Sequence, residues 1–217
     1  MYETCEKCGY TSINMNIPTA VPPSFFAREE YQTCDGLIFP FQKLKAVRPF
    51  SGAQHYTGIY QAASTALREN RLHSSLYLFL QLIRVLENDL RQERKEGHSR
   101  EGDSDKVVKL LHSILKRLYK RVYPLASMLY DASKAPEYAL CKADLSRKQH
   151  FFEEACSIAS SLGFITDNGR YRRLRRFLIK KSKARDAFCY DLEDVQDDIV
   201  TKARKKYERR HMIFRLY

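Results

Sequence analysis

Tryptophan is absent from this sequence, glycine is scarce, and no apolar run is long enough to cross a bilayer. The longest apolar run, residues 76–83, is interrupted by Gln81, whereas a membrane-spanning helix needs about 20 apolar residues. The first residues also lack the basic start and apolar stretch of a secretory signal peptide. We therefore expect a protein of a reducing compartment, cytoplasmic or nuclear, with no transmembrane segment and no disulfide framework.

Sequence motifs of catalysis are missing as well. The chain has no Gly-rich phosphate loop, no Gly-x-Ser-x-Gly and no His-Glu-x-x-His. Its 6 histidines are dispersed, and none has a neighbour that predicts an acid–base site. We therefore expect a protein that is not an enzyme.

Positive charge is abundant. The chain has 217 residues, and its 38 Lys and Arg against 26 Asp and Glu give a net charge of +12. With 44% hydrophobic and 29% charged residues, the composition is that of a globular protein rather than a disordered one. The excess charge favours a polyanionic partner, such as a nucleic acid, an anionic membrane face or an acidic protein surface.

Apolar residues recur at three- and four-residue steps through most of the chain after residue 54, which is the pattern of amphipathic helices. We predict an all-α fold, a helix bundle of about five to six helices. Ser104 is expected to cap the third helix and Pro124 to kink or interrupt it. The predicted helices cover about residues 55–70, 74–95, 104 onwards, 143–162, 170–185 and 191–211.

Residues 1–54 differ from the rest, since they hold 5 of the 7 prolines and show no helical periodicity. We interpret them as an irregular, extended, Pro-rich N-terminal arm that docks on the helices through its aromatic residues. The expected organisation is this arm, a first helical half at 55–134 and a second helical half at 137–217.

The last 48 residues carry 16 Lys and Arg and 7 Asp and Glu, and therefore most of the net charge. Residues 170–185 hold nine basic residues and no acid, and residues 186–198 hold six acids and no base. Arginine forks bind phosphate oxygens, and an aromatic ring between them can stack on an unpaired base. The predicted nucleic-acid-binding residues are Arg170, Tyr171, Arg172, Arg173, Arg175, Arg176, Lys180, Lys181, Lys183 and Arg185.

Other interpretations of this charge pattern stay open. The acidic block could fold back on the basic helix and neutralise it. The basic stretch could instead be a nuclear-import signal, or it could lie on an anionic membrane, which is the interpretation we favour least.

Cys5 and Cys8 are separated by two residues and followed by Gly9, which resembles a zinc knuckle. A closed zinc site needs four ligands, and Cys34 and His55 are the nearest residues that could complete a Cys₃His set. The alternatives are two free thiols or zinc held between two chains. A structural zinc ion is the only cofactor that the sequence suggests.

Taken together, these patterns favour a non-enzymatic nucleic-acid-binding protein, with RNA preferred to DNA. The alternative is a helical adaptor or scaffold that binds an acidic or apolar protein surface, including a second copy of itself. The position of the acidic block relative to residues 170–185 discriminates between the two hypotheses.

Overall fold

Helices make up nearly all of the regular structure. The computed structural model describes residues 3–5, 10–12, 19–47, 52–96, 103–162, 169–188 and 190. In this part of the chain a two-stranded antiparallel ribbon is followed by nine helices. Their bounds are β1 Glu3–Thr4, β2 Thr11–Ser12, α1 Pro23–Phe26, α2 Glu29–Gln32, α3 Ile38–Val47, α4 Gly52–Arg68, α5 Leu72–Glu96, α6 Asp103–Ser133, α7 Pro136–Lys148, α8 Phe152–Ser161 and α9 Gly169–Lys183.

The prediction of an all-α fold is confirmed. The first, second and fifth predicted helices correspond to α4, α5 and α9. The predicted sixth helix, 191–211, lies outside the described residues. Among the described helices, none combines the length and the apolar composition needed to cross a membrane.

The chain divides into two compact units, Met1–Lys134 and Ala135–Tyr217. In the first unit, α5 packs against both α4 and α6. Large side chains with almost no exposure fill this core, because the apolar stripes of the three helices face one another. They include Tyr60, Phe79, Leu82, Leu86, Leu111, Ile114 and Leu115.

The N-terminal arm is more helical than its sequence indicated. It contains α1, α2 and the ten-residue α3, and its ribbon pairs Glu3 with Ser12. A small aromatic cluster of Tyr10, Phe26 and Tyr31 is buried within it. Contacts with this cluster and with α4 stabilise the helices of the arm, although their sequences show no helical periodicity.

Two expectations about α6 need correction. The helix begins at Asp103, so Ser104 lies in its first turn instead of capping it. Pro124 lies inside the helix, which continues to Ser133, so the expected interruption is wrong and the expected kink stays a prediction. A proline removes one intrahelical hydrogen bond, and the buried apolar stripe on both sides of it keeps the helix continuous.

The predicted single helix 143–162 is wrong. Two helices, α7 and α8, occupy this stretch and are separated at residues 149–151. His150 adopts a left-handed φ of 68°, its amide donates to the Arg147 carbonyl at 3.0 Å, and the Phe151 amide donates to the Ser146 carbonyl at 2.9 Å. This hydrogen-bond pair is a Schellman helix ending. Glycine usually occupies the left-handed position, and the histidine therefore gave no sign of it.

Candidate nucleic-acid interface

Helix α9 carries most of the predicted binding residues and is anchored by its apolar side. Phe177 and Leu178 are buried, and α9 packs against α8 and α7 within the second unit. No acidic residue occurs between Gly169 and Lys183. The packing therefore fixes which of its basic side chains face solvent.

Five exposed cations share one side of α9. An α-helix turns about 100° per residue, so these five positions fall within an arc of about 100°. This arc is opposite the half-buried Leu174 and the buried Leu178. We call it the basic arc, and its members are Arg172, Arg173, Arg176, Lys180 and Lys183.

Arg175 does not belong to the basic arc. Its Nε donates to the carbonyl of Ala159 at 2.8 Å, and its Nη2 donates to the carbonyl of Ser160 at 3.1 Å. These carbonyls lie in the last turn of α8, where backbone acceptors lack intrahelical partners. Arg175 therefore ties α9 to the C-terminal end of α8.

Lys181 is also engaged within the protein. Its Nζ donates to Asp186 Oδ2 at 3.1 Å and to the hydroxyl of Tyr190, which itself donates to Asp186. Burial alone would raise the pKa of Asp186, but the hydrogen bonds from Tyr190, the Phe188 amide and Lys181 lower it. The first acid of the acidic block, Asp186, thus folds back on the end of α9, and the other five acids of the block lie outside the described residues.

The remaining predicted residues differ in their surroundings. Arg185 pairs with Glu153 at 3.2 Å, and both side chains are exposed. Tyr171 is half-buried on α9. The side chain of Arg170 lies outside the described part of the structure. The charge pattern places its basic residues on one helix, and only the packing separates the solvent-facing cations from the anchors.

Sequence reasoning missed Arg147, which is the largest fully buried side chain of the described residues. Its guanidinium donates to Asp144 at 2.7 Å and to the backbone carbonyls of Asp186 and Phe188. Although burial raises the pKa of the Asp144 carboxyl, the charges of Lys148 and Arg147 hold it at about 2. An arginine on a helix predicts a solvated side chain, so no sequence signal identified this one.

The proposed zinc ligands are only partly described. Cys34 is fully buried, Cys5 is half-buried and His55 is exposed, whereas Cys8 lies outside the described residues. Within the described part of the chain, no three His, Cys, Asp or Glu side chains are grouped as a metal site. Burial, with a smaller contribution from the Asp35 carboxylate, raises the pKa of the Cys34 thiol to about 12. The zinc knuckle stays a prediction.

Comparison with known proteins identifies no family for this chain. No protein-family model matches the chain, and no curated protein and no solved structure is significantly similar to it. Function therefore has to be argued from the side chains of the described residues.

Proposed function

We propose that this chain is a non-enzymatic nucleic-acid-binding protein that prefers RNA to DNA and contacts phosphates through the basic arc of α9. The observation that carries the proposal is the alignment of five exposed cations on one side of an anchored helix without an acidic residue. Such a stripe can contact several phosphates of one backbone and gains affinity from counterion release.

Anchoring of α9 supports the proposal further. Phe177 and Leu178 are buried, and Arg175 binds the end of α8, so the helix presents its cations from a fixed position. Arginine and lysine side chains on a fixed helix lose less conformational entropy on binding than the same residues in a disordered tail. The preference for RNA rests on Tyr171, the half-buried aromatic residue of α9 next to the cations, because an aromatic ring can stack on an unpaired base.

The test is fluorescence-anisotropy titration of single- and double-stranded RNA and DNA over a series of salt concentrations. We expect submicromolar binding at low salt and a steep fall in affinity as salt increases. The triple variant R172E/R173E/R176E should bind at least tenfold more weakly. Its slope of log affinity against log salt should be smaller by about 2 to 3, because each lost phosphate contact removes about one unit.

A matched control comes from the first unit. Lys109, Lys116 and Lys120 are exposed on α6, and reversing them to Glu changes the net charge by the same amount. We expect this control variant to retain most of the affinity. Equal losses in the two variants would show that binding depends on net charge alone, and the assignment to the basic arc would then be wrong.

The second candidate is a helical adaptor. The first unit exposes three large apolar side chains, Phe39, Tyr77 and Met128, and the adaptor hypothesis assigns them to contact with a protein partner or a second copy of the chain. Light scattering tests the second case directly. A concentration-dependent dimer that the changes F39S, Y77S and M128S abolish, together with no nucleic-acid binding at low salt, would favour the adaptor.

A further inference from the structure

An open cavity lies beside the basic arc in the second unit. It has a volume of about 410 Å³, within the range of about 300–1,000 Å³ that is typical of ligand-binding clefts. Residues of α8 and of the end of α9 line it. They are Phe152, Glu153, Cys156, Ser157, Ser160, Ser182, Lys183 and Arg185.

Ser182 gives the cavity a polar group in need of a partner. Its side chain is only 2% exposed, and its Oγ has no hydrogen-bond partner among the described residues. Buried hydroxyls are nearly always hydrogen-bonded, and a helical serine can usually bond a carbonyl one turn earlier. Ser182 thus adds to the cavity lining a hydroxyl whose hydrogen-bonding capacity is unused among the described residues.

Lys183 connects the cavity to the basic arc, because it belongs to both. A phosphate backbone that follows the arc therefore reaches the rim of the cavity. There Arg185 is the second cation, and its pairing with Glu153 at 3.2 Å offsets the negative charge of that carboxylate. The interior combines the aromatic ring of Phe152, the thiol of Cys156 and serine hydroxyls.

We propose that this cavity accepts one unpaired base of a bound RNA strand, so that the preferred ligand is single-stranded RNA. This inference rests on the proposed function. Phe152 and Cys156 provide the apolar surface for the base, and Ser157, Ser160 and Ser182 provide hydrogen bonds to its edge. Lys183 and Arg185 contact the flanking phosphates.

Base pairing decides the preference for a single strand over a duplex. A base inside a duplex is stacked and paired, and extruding it costs free energy, whereas a base of a single strand turns outward freely. A duplex therefore gains only the phosphate contacts of the basic arc. A single strand gains the same contacts and the cavity.

Anisotropy titration of a U-rich single-stranded RNA and of a duplex of the same length tests the proposal. Ser157 is exposed at the cavity, and a tryptophan there fills it. We expect S157W to bind the single strand about tenfold more weakly and the duplex unchanged. Ser161 is an exposed serine of the same helix outside the cavity lining, so S161W is the matched control and should bind like the unaltered protein.

A second measurement needs no variant. Cys156 is a half-buried free thiol in the cavity, and mass spectrometry can follow its alkylation separately from the other cysteines. Single-stranded RNA should slow the alkylation of Cys156 at least fivefold, and the duplex should not.

The outcomes distinguish failure of the base-binding cavity from failure of nucleic-acid binding as a whole. Unchanged alkylation together with equal binding of the single strand by S157W and S161W overturns the base-binding cavity and leaves the basic arc intact. An absence of binding to either RNA at low salt overturns the proposed function, and the cavity proposal fails with it.

Discussion

The buried guanidinium of Arg147 donates through Nη1 to the backbone carbonyl of Asp186 at 2.7 Å, and this bond joins α7 to the segment that follows α9. A second bond reaches the Phe188 carbonyl at 2.9 Å. Arginine is suited to this role because its planar fork donates several hydrogen bonds in fixed directions. Arg147 therefore holds the chain that returns after α9 from inside the second unit, together with the pairing of Lys181 and Asp186.

Replacing Arg147 by methionine tests this dependence. The variant removes the positive charge and leaves two carbonyls without their donor, while the carboxylate of Asp144 keeps Lys148 as its partner at 2.9 Å. Losing hydrogen bonds from a charged, buried donor costs about 1.5 to 3 kcal/mol of unfolding free energy. Urea denaturation of the full chain measures the loss, and R173M, at an exposed position, is the control, with an expected change below about 0.5 kcal/mol. A loss in R147M as small as that of the control would contradict the role.

The lowered pKa of Asp144 predicts that the protein loses stability in acid. Its folded pKa of about 2 lies below the ordinary value of 3.8. The ionised carboxylate therefore stabilises the fold fully above about pH 4, and this contribution, about 2 kcal/mol, is lost as the pH falls from 4 to 2. The difference in unfolding free energy between the unaltered protein and D144N should shrink over the same interval. A difference that stays constant between pH 6 and pH 2 would show that Asp144 does not act through its charge.

Arg175 and Arg176 are neighbours in sequence with opposite expected roles. Arg175 binds two carbonyls at the end of α8, so R175A should lose about 1 to 2 kcal/mol of unfolding free energy. Arg176 is exposed in the basic arc, so R176A should keep its stability and lower the salt slope of RNA binding by about 1. Denaturation and anisotropy on the same two variants compare them directly. Loss of RNA affinity in folded R175A equal to that in R176A would refute the distinction.

Cys34 offers a test of the zinc prediction. A buried thiol with a pKa of about 12 should be alkylated at pH 8 at least a hundredfold more slowly than the half-buried Cys156. If zinc holds Cys34 together with Cys5, Cys8 and His55, a chelator should release the metal and accelerate the reaction. An alkylation rate that the chelator leaves unchanged, with no zinc detected by elemental analysis, would refute the Cys₃His site.

Hydrophobic periodicity determined much of the fold in advance. The stripes of α4 and α5 and of most of α6 are continuous in the sequence, because burial of one helix face imposes a repeat of 3.6 residues. The sequence also predicted the concentration of positive charge on α9, since charge can be counted from the residues alone. The all-α fold and the choice of helix for the candidate interface follow from these two signals.

Tertiary structure decided the features that depend on partners distant in sequence. Arg175 and Arg176 have the same chemistry, and only the packing of α9 on α8 makes one an anchor and the other a solvent-facing cation. The break at His150 and the burial of Arg147 likewise depend on acceptors that a local pattern cannot show. A sequence specifies which side chains can donate hydrogen bonds and which can be buried. The acceptors of those hydrogen bonds come into place only when the helices pack together.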